Sequence, residues 1–300
     1  MVTTIAALGA LWFTNQSLRA TSEQAGLARQ TAVTDRFAKA VEQLGNSSLE
    51  IRLGGINLLR KLSEDSEPDR TPIVQMLVAF VRSHAPNRPE CGVGDKEPDI
   101  DVQTALTVIG NRDDAHTERI DLSNTCLARA NLAGANLRKS ILKQANLTRA
   151  LLVETDLRES VFIDSTLDTA VMSRTDLRDA AFQGGSMRSV AFVGAKLNRA
   201  SFESVDMRED SLGSAELPGA QFLRADLRGA RIGNIFKTVG PSGPDLMTSD
   251  AEQVGGAGFM FVRFDANTTW PEGTLPEPLP FHESEPRYAY FCPTYLVKPC

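Results

Sequence analysis

Residues 130–149 have the sequence ANLAG-ANLRK-SILKQ-ANLTR, in which leucine recurs at every fifth place. The frame extends in both directions, because the third place of 23 consecutive blocks, from Leu122 to Ile232, is Leu, Phe, Met or Ile. The first place is Ala, Ser, Thr, Gly or Val in every block except those starting at Ile120 and Asp210. An α-helix repeats at 3.6 residues and a strand at 2. A period of five therefore predicts a chain that turns a corner after each block.

Two side chains of each block, the central one and the small one two places before it, are expected to point inward. Four corners close a coil of 20 residues, and successive coils stack as parallel strands about 4.8 Å apart. The blocks make almost six coils, a rod roughly 28 Å long. Each coil buries its apolar side chains only against its neighbours, so the ends need caps. The predicted repeat core is Leu122, Leu127, Leu132, Leu137, Leu142, Leu147, Leu152, Leu157, Phe162, Leu167, Met172, Leu177, Phe182, Met187, Phe192, Leu197, Phe202, Met207, Leu212, Leu217, Phe222, Leu227 and Ile232.

Six of the blocks (ANLAG, ANLRK, ANLTR, TDLRE, TDLRD and ADLRG) resemble the A(D/N)LXX signature of the pentapeptide-repeat family. The resemblance implies a mainly β fold, a right-handed quadrilateral β-helix, here preceded by a small α-helical region. It covers about 115 of the 300 residues and says much about fold but little about function.

The sequence before the repeats is helical in pattern. Apolar residues over 33–44 recur at spacings of four, four and three, which places them on one helix face. Ser47 and Glu50 predict a capping box for a second helix, in which Gly54 and Gly55 are expected where another backbone packs closely. A third helix is predicted from about residue 71 and a fourth over 102–109.

Three segments of this part, DRFAKAVEQLG, EIRLGGINLLRKL and VAFVRSHAP, are similar to the segments that precede the repeats in membrane-associated actinobacterial members of the family. That second resemblance implies a membrane helix, missing or shortened, upstream of Asn15.

The segment Val2 to Thr14 contains no charged residue, but it is shorter than the roughly 20 apolar residues of a membrane span. Three interpretations stay open: a spanning helix that lacks its beginning, a short anchor lying in the interface, and an ordinary buried helix. No Lys or Arg precedes it, which argues against a signal peptide. If it spans, the basic residues over 19–39 favour a cytoplasmic location for the rest of the chain.

The predicted organisation has four parts. They are a hydrophobic N-terminal segment (1–18, a partial membrane anchor), an α-helical region (19–112, with a polar linker at 85–98), the solenoid (119–234), and a C-terminal cap with a proline-rich tail (235–300). Phe259, Phe261, Phe264 and Trp270 are expected to shield the open end of the core.

The four cysteines, Cys91, Cys126, Cys292 and Cys300, form no CxxC pair, and the three histidines are far apart in sequence. No metal site or cofactor is predicted from this pattern. Reduced thiols in a cytosolic domain are the favoured interpretation, although a bridge between Cys292 and Cys300 stays open.

No nucleophile elbow, P-loop, GxGxxG or HExxH motif occurs, so no catalytic residue is predicted and the protein is not expected to be an enzyme. Asp156 and Asp176 fall one coil apart, but Arg158 and Arg178 follow them, which predicts a ladder of ion pairs. Some family members mimic DNA and occupy gyrase, a role that requires dense negative charge. The solenoid has 16 Lys and Arg against 14 Asp and Glu, so a soluble topoisomerase-binding protein is the disfavoured alternative and nucleic acid is not an expected partner.

The favoured function is a non-enzymatic scaffold or protein-interaction module, membrane-associated with its repeats in the cytoplasm. An exposed apolar cluster is its candidate interaction patch, because such clusters mark contact surfaces. The expected partner is another protein or a second copy of this chain, and no small-molecule substrate is expected. The patch consists of Leu151, Val153, Val171, Ala191 and Val193. A weaker set on the opposite face consists of Ile141, Val161, Ile163 and Ala181. Coverage of either set by the chain's own N-terminal helices or tail is an equal alternative.

Overall fold

The computed structural model describes residues 31–112 and 118–212, and isolated positions 16, 19 and 24. Beyond these it describes positions 215, 220–223, 225–227, 230 and 231, and the backbone of 258–263 and 288–291. The chain forms two compact units, Met1–Ile73 and Val74–Cys300. Val2 to Thr14, Leu217, Ile232, Phe264, Trp270, Cys292 and Cys300 lie outside the described residues.

The first unit contains α1 (residues 31–44), α2 (Leu49–Asp65), a 3₁₀ helix (Glu67–Asp69) and the start of α3 (Arg70–His84). The prediction for the glycine pair is confirmed at Gly55, where a Cβ would lie 2.9 Å from the carbonyl oxygen of Ala40 on α1. The capping-box prediction is wrong, because the N-cap is Ser48 and its side chain bonds to no helix amide. Its hydroxyl donates to Glu50 instead, at 2.5 Å.

The second unit is built around the five-residue blocks. Parallel bridges join residues 20 apart, from Asp121↔Ile141 to Ser211↔Arg231, so four blocks complete one coil. We number the four sides faces 1 to 4, beginning with the blocks centred on Leu122, Leu127, Leu132 and Leu137. All 21 described central residues are at most 2% exposed, and they fill the interior as predicted.

In the blocks from residue 120 to residue 209, the corner is a residue with positive φ. Fifteen non-glycine residues in fifth places, from Asn124 to Glu209, have φ between 51° and 64°. This left-handed conformation turns the chain between one face and the next. It is the backbone feature that produces a period of five, and it is adopted here even by the β-branched Thr169.

Face 1 contains the longest regular strands, joined in one sheet with the order β1 to β6. Their central phenylalanines, Phe162, Phe182, Phe202 and Phe222, stack with ring centroids 4.4, 4.8 and 4.9 Å apart. β5 continues the face in parallel with β4, and β6, within the proline-rich tail, pairs with β5 in the antiparallel direction. The strands are β1 (Val161–Ile163), β2 (Ala181–Gln183), β3 (Ser201–Glu203), β4 (Gln221–Leu223), β5 (Gly258–Arg263) and β6 (Tyr288–Phe291).

On faces 3 and 4, backbone groups at the open edge of the first coil bond to α4 (Ile100–Gly110) and to the residue pair after it. The side-chain amide of Gln103 donates to the carbonyl of Asn131 at 2.7 Å and accepts its N–H at 2.9 Å. The carbonyl of Gly110 accepts the N–H of Asn136 at 2.8 Å. The buried guanidinium of Arg112 donates to the carbonyls of Asn136 and Arg138 at 2.9 and 2.6 Å. These groups take the place of a preceding coil.

The cysteine prediction is wrong for two of the four residues, because Cys91 and Cys126 form a disulfide with Cα atoms 5.7 Å apart. The bridge joins the predicted linker 85–98 to face 2 of the first coil. Cys91 and Cys126 are 35 residues apart, and one of them occupies the outward second place of a repeat block. Nothing in the spacing of the cysteines marks them as a pair; only the coil geometry brings them together.

Candidate functional site: the outer faces of the solenoid

The apolar patch, the five residues Leu151, Val153, Val171, Ala191 and Val193, lies on face 3. Bridges Leu151↔Val171 and Val171↔Ala191 align three of its members in one column along the solenoid. Leu151 is 43% exposed and Val193 is 48% exposed, while the other three are half-buried. The structure thus brings all five together on one side, in the second and fourth places of consecutive coils.

Polar groups border this patch at the corner that comes after it. Arg174 and Glu154 form an ion pair there at 2.7 Å, both with well exposed side chains. The column of second places ends in polar residues, Asn131 toward α4 and Ser211 toward the C-terminus, and Ser173 separates Val153 from Val193 in the column of fourth places. The apolar area is therefore a short strip, two coil steps long, with a charged edge.

The weaker apolar set lies on face 1, opposite face 3. Ile141, Val161, Ile163 and Ala181 are all half-buried, and none is as exposed as Leu151 or Val193. Val161 and Val171 occupy the same place in their blocks on opposite sides of one coil, which makes them a matched pair for testing the two faces.

Ion pairs neutralise most of the charge on face 4, as predicted. Arg158 bonds to Asp156 at 2.5 Å and Arg178 bonds to Asp176 at 2.6 Å, each pair within one block. Burial raises the pKa of Asp176, but the hydrogen bonds and charge of Arg178 outweigh it, so the pKa lies below its ordinary value. Asp176 is thus charged at neutral pH, and both carboxylates are paired with an arginine of their own block.

Face 2 has a similar ladder. Arg188 bonds to Asp168 at 2.6 Å, and Arg208 bonds to Asp206 at 2.6 Å. A shallow depression of about 250 Å³ lies between these coils. It is lined by Asp168, Thr169, Arg188, Ser189, Arg208 and Glu209. Because its arginines already bind carboxylates of their own chain, the depression presents balanced charge rather than an anion site.

Two further observations concern chemistry and membranes. Within the described ranges, no group of three His, Cys, Asp or Glu side chains is arranged to hold a metal ion. None of the helices in the described part of the chain is both long and apolar enough to cross a membrane.

Sequence reasoning missed the residues that build the N-terminal end, namely Gln103, Arg112 and the Cys91–Cys126 bridge. Polar side chains on a short helix are usually solvated, and no spacing rule marks these as exceptions. The apolar face of α4 was detectable from its periodicity, and it indicates that the helix packs on something. It does not indicate that the partner is the open end of a coil.

Comparison with known proteins supports the repeat assignment. A family model described as a pentapeptide repeat region matches residues 135–212. A search of curated proteins gives no match.

Similar solved structures include HetL, a pentapeptide repeat protein involved in heterocyst differentiation regulation from the cyanobacterium Nostoc sp. strain PCC 7120. It is 23% identical over 39% of this chain and 67% of HetL, with a TM-score of 0.22. Full-length QnrB1, a plasmid-mediated fluoroquinolone resistance protein, is 14% identical over 50% of this chain and 85% of its own, with a TM-score of 0.20. Rfr23, a pentapeptide repeat protein from the cyanobacterium Cyanothece 51142, is 20% identical over 43% of this chain and 63% of its own, with a TM-score of 0.13.

These TM-scores are too low to support any argument, so the assignment depends on the family model and on the coils themselves. The matched residues 135–212 lie wholly within the run of five-residue blocks and 20-residue coils. Residues 135–212 of this chain are a pentapeptide repeat region.

Proposed function

We propose that this chain is a non-enzymatic scaffold whose solenoid contacts a partner protein through the apolar patch on face 3. The supporting observation is the exposure of Leu151 and Val193 at the two ends of one aligned apolar strip, with charges confined to its edge. Isolated exposed apolar residues are ordinary, whereas an apolar column that continues over three coils, as Leu151, Val171 and Ala191 do, is typical of contact surfaces.

The size of the strip favours a partner segment over a stable homodimer. Its outer strands are about 10 Å apart, given a spacing of about 4.8 Å between coils. A stable dimer usually buries about 800 Å² on each partner, more than two coil steps of one face provide. An extended apolar segment of another protein, bordered by groups that pair with Glu154 and Arg174, fits the strip better.

A site-specific crosslinking experiment in the native host tests this proposal. A photo-crosslinking residue at Leu151 is expected to capture one defined protein, whereas the same residue at Val161 on the opposite face is not. Val171→Glu should abolish the Leu151 product and Val161→Glu should leave it intact. Equal products from both faces, or a product insensitive to Val171→Glu, contradict the proposal. A product of twice the chain's own mass shows self-association instead.

Membrane association through Val2 to Thr14 is a further part of the proposal, supported by the uncharged sequence alone. The sequence favours a cytoplasmic solenoid, but a disulfide persists mainly in oxidising compartments. We therefore favour exposure of the Cys91–Cys126 bridge outside the reducing cytoplasm. The right-handed sense of the coil, implied by the family resemblance, stays a prediction.

Fusions to the C-terminus distinguish the two locations. Alkaline phosphatase, which needs its own disulfides, should be active if the solenoid lies outside the cytoplasm, and the product should sediment with membranes. An inactive phosphatase fusion together with a fluorescent GFP fusion would show that the solenoid lies in the cytoplasm.

A further inference from the structure

The segment 85–98, which we call the strap, crosses face 2 at the first two coils without forming a helix or strand of its own. Most of its side chains are exposed, with Val93 at 71%. It buries little apolar surface, so its position depends on individual polar contacts and one covalent bond.

The polar contacts are concentrated at the start of the strap. The carbonyl of Ala85 accepts the N–H of Cys126 at 2.7 Å, and the N–H of Asn87 donates to Asn124 at 2.8 Å. The side chain of Asn87 reaches the second coil, where it donates to the carbonyl of Gln144 at 2.9 Å. Residues 85–87 thus act as an extra strand on the open edge of the first coil.

The middle of the strap is held by the disulfide and by contacts around it. The carbonyl of Cys91 accepts from the side chain of Asn146 at 3.1 Å. Beyond it, Asp95 pairs with Arg129 and, at 3.5 Å, with Arg149. These ion pairs are exposed on the Asp95 side, where such pairs contribute little. The covalent bond is therefore the strongest constraint on this part of the strap.

Both cysteines are half-buried, so a thiolate from solvent can reach the bridge. We propose that the Cys91–Cys126 disulfide is a redox latch, and that its reduction releases the strap from face 2 and loosens the N-terminal end of the solenoid. A dithiol reductant attacks one sulfur to form a mixed disulfide, and its second thiol then displaces that sulfur. Two electrons pass to the bridge, two protein thiols form, and the reductant becomes a disulfide.

Release of the strap has two consequences for the surface. The N–H of Cys126 loses its acceptor on Ala85, which opens the edge of the first coil. Arg129 and Arg149, one coil apart, lose Asp95 and present two guanidinium groups on face 2. Reduction thereby changes a covered part of face 2 into an exposed, positively charged one, on a side that does not contain the apolar patch.

Hydrogen exchange of the full chain tests the latch. A Cys292→Ser, Cys300→Ser background leaves Cys91 and Cys126 as the thiols to be followed. Addition of a dithiol should accelerate exchange of the Asn87 and Cys126 amides at least tenfold. The Val171 amide, bonded to Ala150 at 3.0 Å in mid-solenoid, is the internal control and should not change.

Cys91→Ser provides the matched variant, because it removes the bridge while leaving the repeat blocks intact. Without any reductant it should exchange at Asn87 and Cys126 as fast as the reduced parent. Equal exchange in the oxidised parent, the reduced parent and Cys91→Ser would show that the polar contacts alone hold the strap, and would overturn the proposal. Alkylation of both cysteines in protein purified without reductant would overturn it as well.

Discussion

Asp210 occupies an inward first place of a block, a position taken by small or apolar residues in nearly all the other blocks. It is fully buried, and its Oδ1 accepts the N–H of Val190, one coil earlier, at 2.8 Å. In earlier coils the amide at this corner donates within its own turn, as Ala170 does to Leu167 at 2.9 Å. Among the described residues, Oδ2 of Asp210 has no hydrogen-bond partner. The carboxyl therefore replaces one turn bond and leaves one oxygen unsatisfied.

Burial raises the pKa of Asp210 well above its ordinary value, and the nearby Asp206 and Asp168 add to the rise, while the Val190 N–H opposes it. In the unfolded chain the pKa is near 3.9. From about pH 4 up to the folded pKa, the folded state therefore binds more protons, and the free energy of unfolding falls as the pH rises. At neutral pH the residue destabilises the solenoid.

Asp210→Ala should raise the free energy of unfolding at pH 7 by about 1–3 kcal/mol, the usual cost of an unsatisfied buried polar group. Alanine is the residue at this corner in four other coils, including those at Ala150 and Ala170. This increase in the free energy of unfolding should become smaller toward pH 4. Urea denaturation of the parent and the variant between pH 4 and pH 8 measures it. Asp210→Asn keeps an acceptor for Val190 and should flatten the pH profile. If the free energy of unfolding of the parent protein did not fall as the pH rises above 4, the raised pKa of Asp210 would be contradicted.

At the scale of elements, α4 replaces a missing coil through side chains that imitate the peptide group. The amide of Gln103 presents a donor and an acceptor to Asn131, as a neighbouring strand would. Gly110 brings the helix end so close that a Cβ there would lie 2.6 Å from that of Ala135. The helix therefore matches the coil in the hydrogen-bonding groups that it presents and in how closely its end approaches the coil.

Gln103→Glu tests this imitation with almost no change of shape. The carboxylate can accept the Asn131 N–H, but it faces the Asn131 carbonyl with a second acceptor. We expect a loss of about 1–3 kcal/mol in the free energy of unfolding and faster exchange of the Asn131 amide. The same substitution at Gln183, exposed on β2, is the control and should change stability by less than about 0.5 kcal/mol. Equal effects at the two positions would show that Gln103 does not cap the coil.

Elements whose side chains repeat regularly were predictable from the sequence. The blocks predicted the coil and its core, and periodicity placed α4 over 102–109 against Ile100–Gly110 in the structure. The strap was interpreted as a linker because its polar, turn-rich sequence carries no period, and its hydrogen-bond partners are up to 57 residues away along the chain. The contacts of Gln103, Arg112 and Cys91 depend on where the first coil ends in space, which no local pattern encodes. The apolar patch was recognisable because coil geometry can be deduced from the period.

At the scale of the whole solenoid, stability is a sum over neighbouring coils. The phenylalanine stack and the ladder of backbone bonds, such as Leu132 N–H to Leu151 O at 2.8 Å, connect each coil only to the next. Fraying from the N-terminal end must first displace α4 and the strap. The disulfide there closes a loop of 35 residues, worth about 3–4 kcal/mol in chain entropy. The first coils are thus protected by covalent and polar contacts in addition to apolar stacking.

The charge balance of the solenoid differs from the dense negative charge that a DNA mimic requires, because Lys and Arg match its acidic residues in number and the ladder carboxylates on faces 2 and 4 are paired with arginines. Protein surfaces that bind DNA select for dense negative charge. We therefore expect this protein not to protect or inhibit DNA gyrase in a supercoiling assay. A designed variant in which four ladder arginines become glutamine shifts the repeat balance from +2 to −2. The four are Arg158, Arg178, Arg188 and Arg208. Only the variant leaves its ladder carboxylates unpaired. If the parent chain inhibited gyrase at the same concentration as the variant, gyrase inhibition would not depend on the charge of the solenoid.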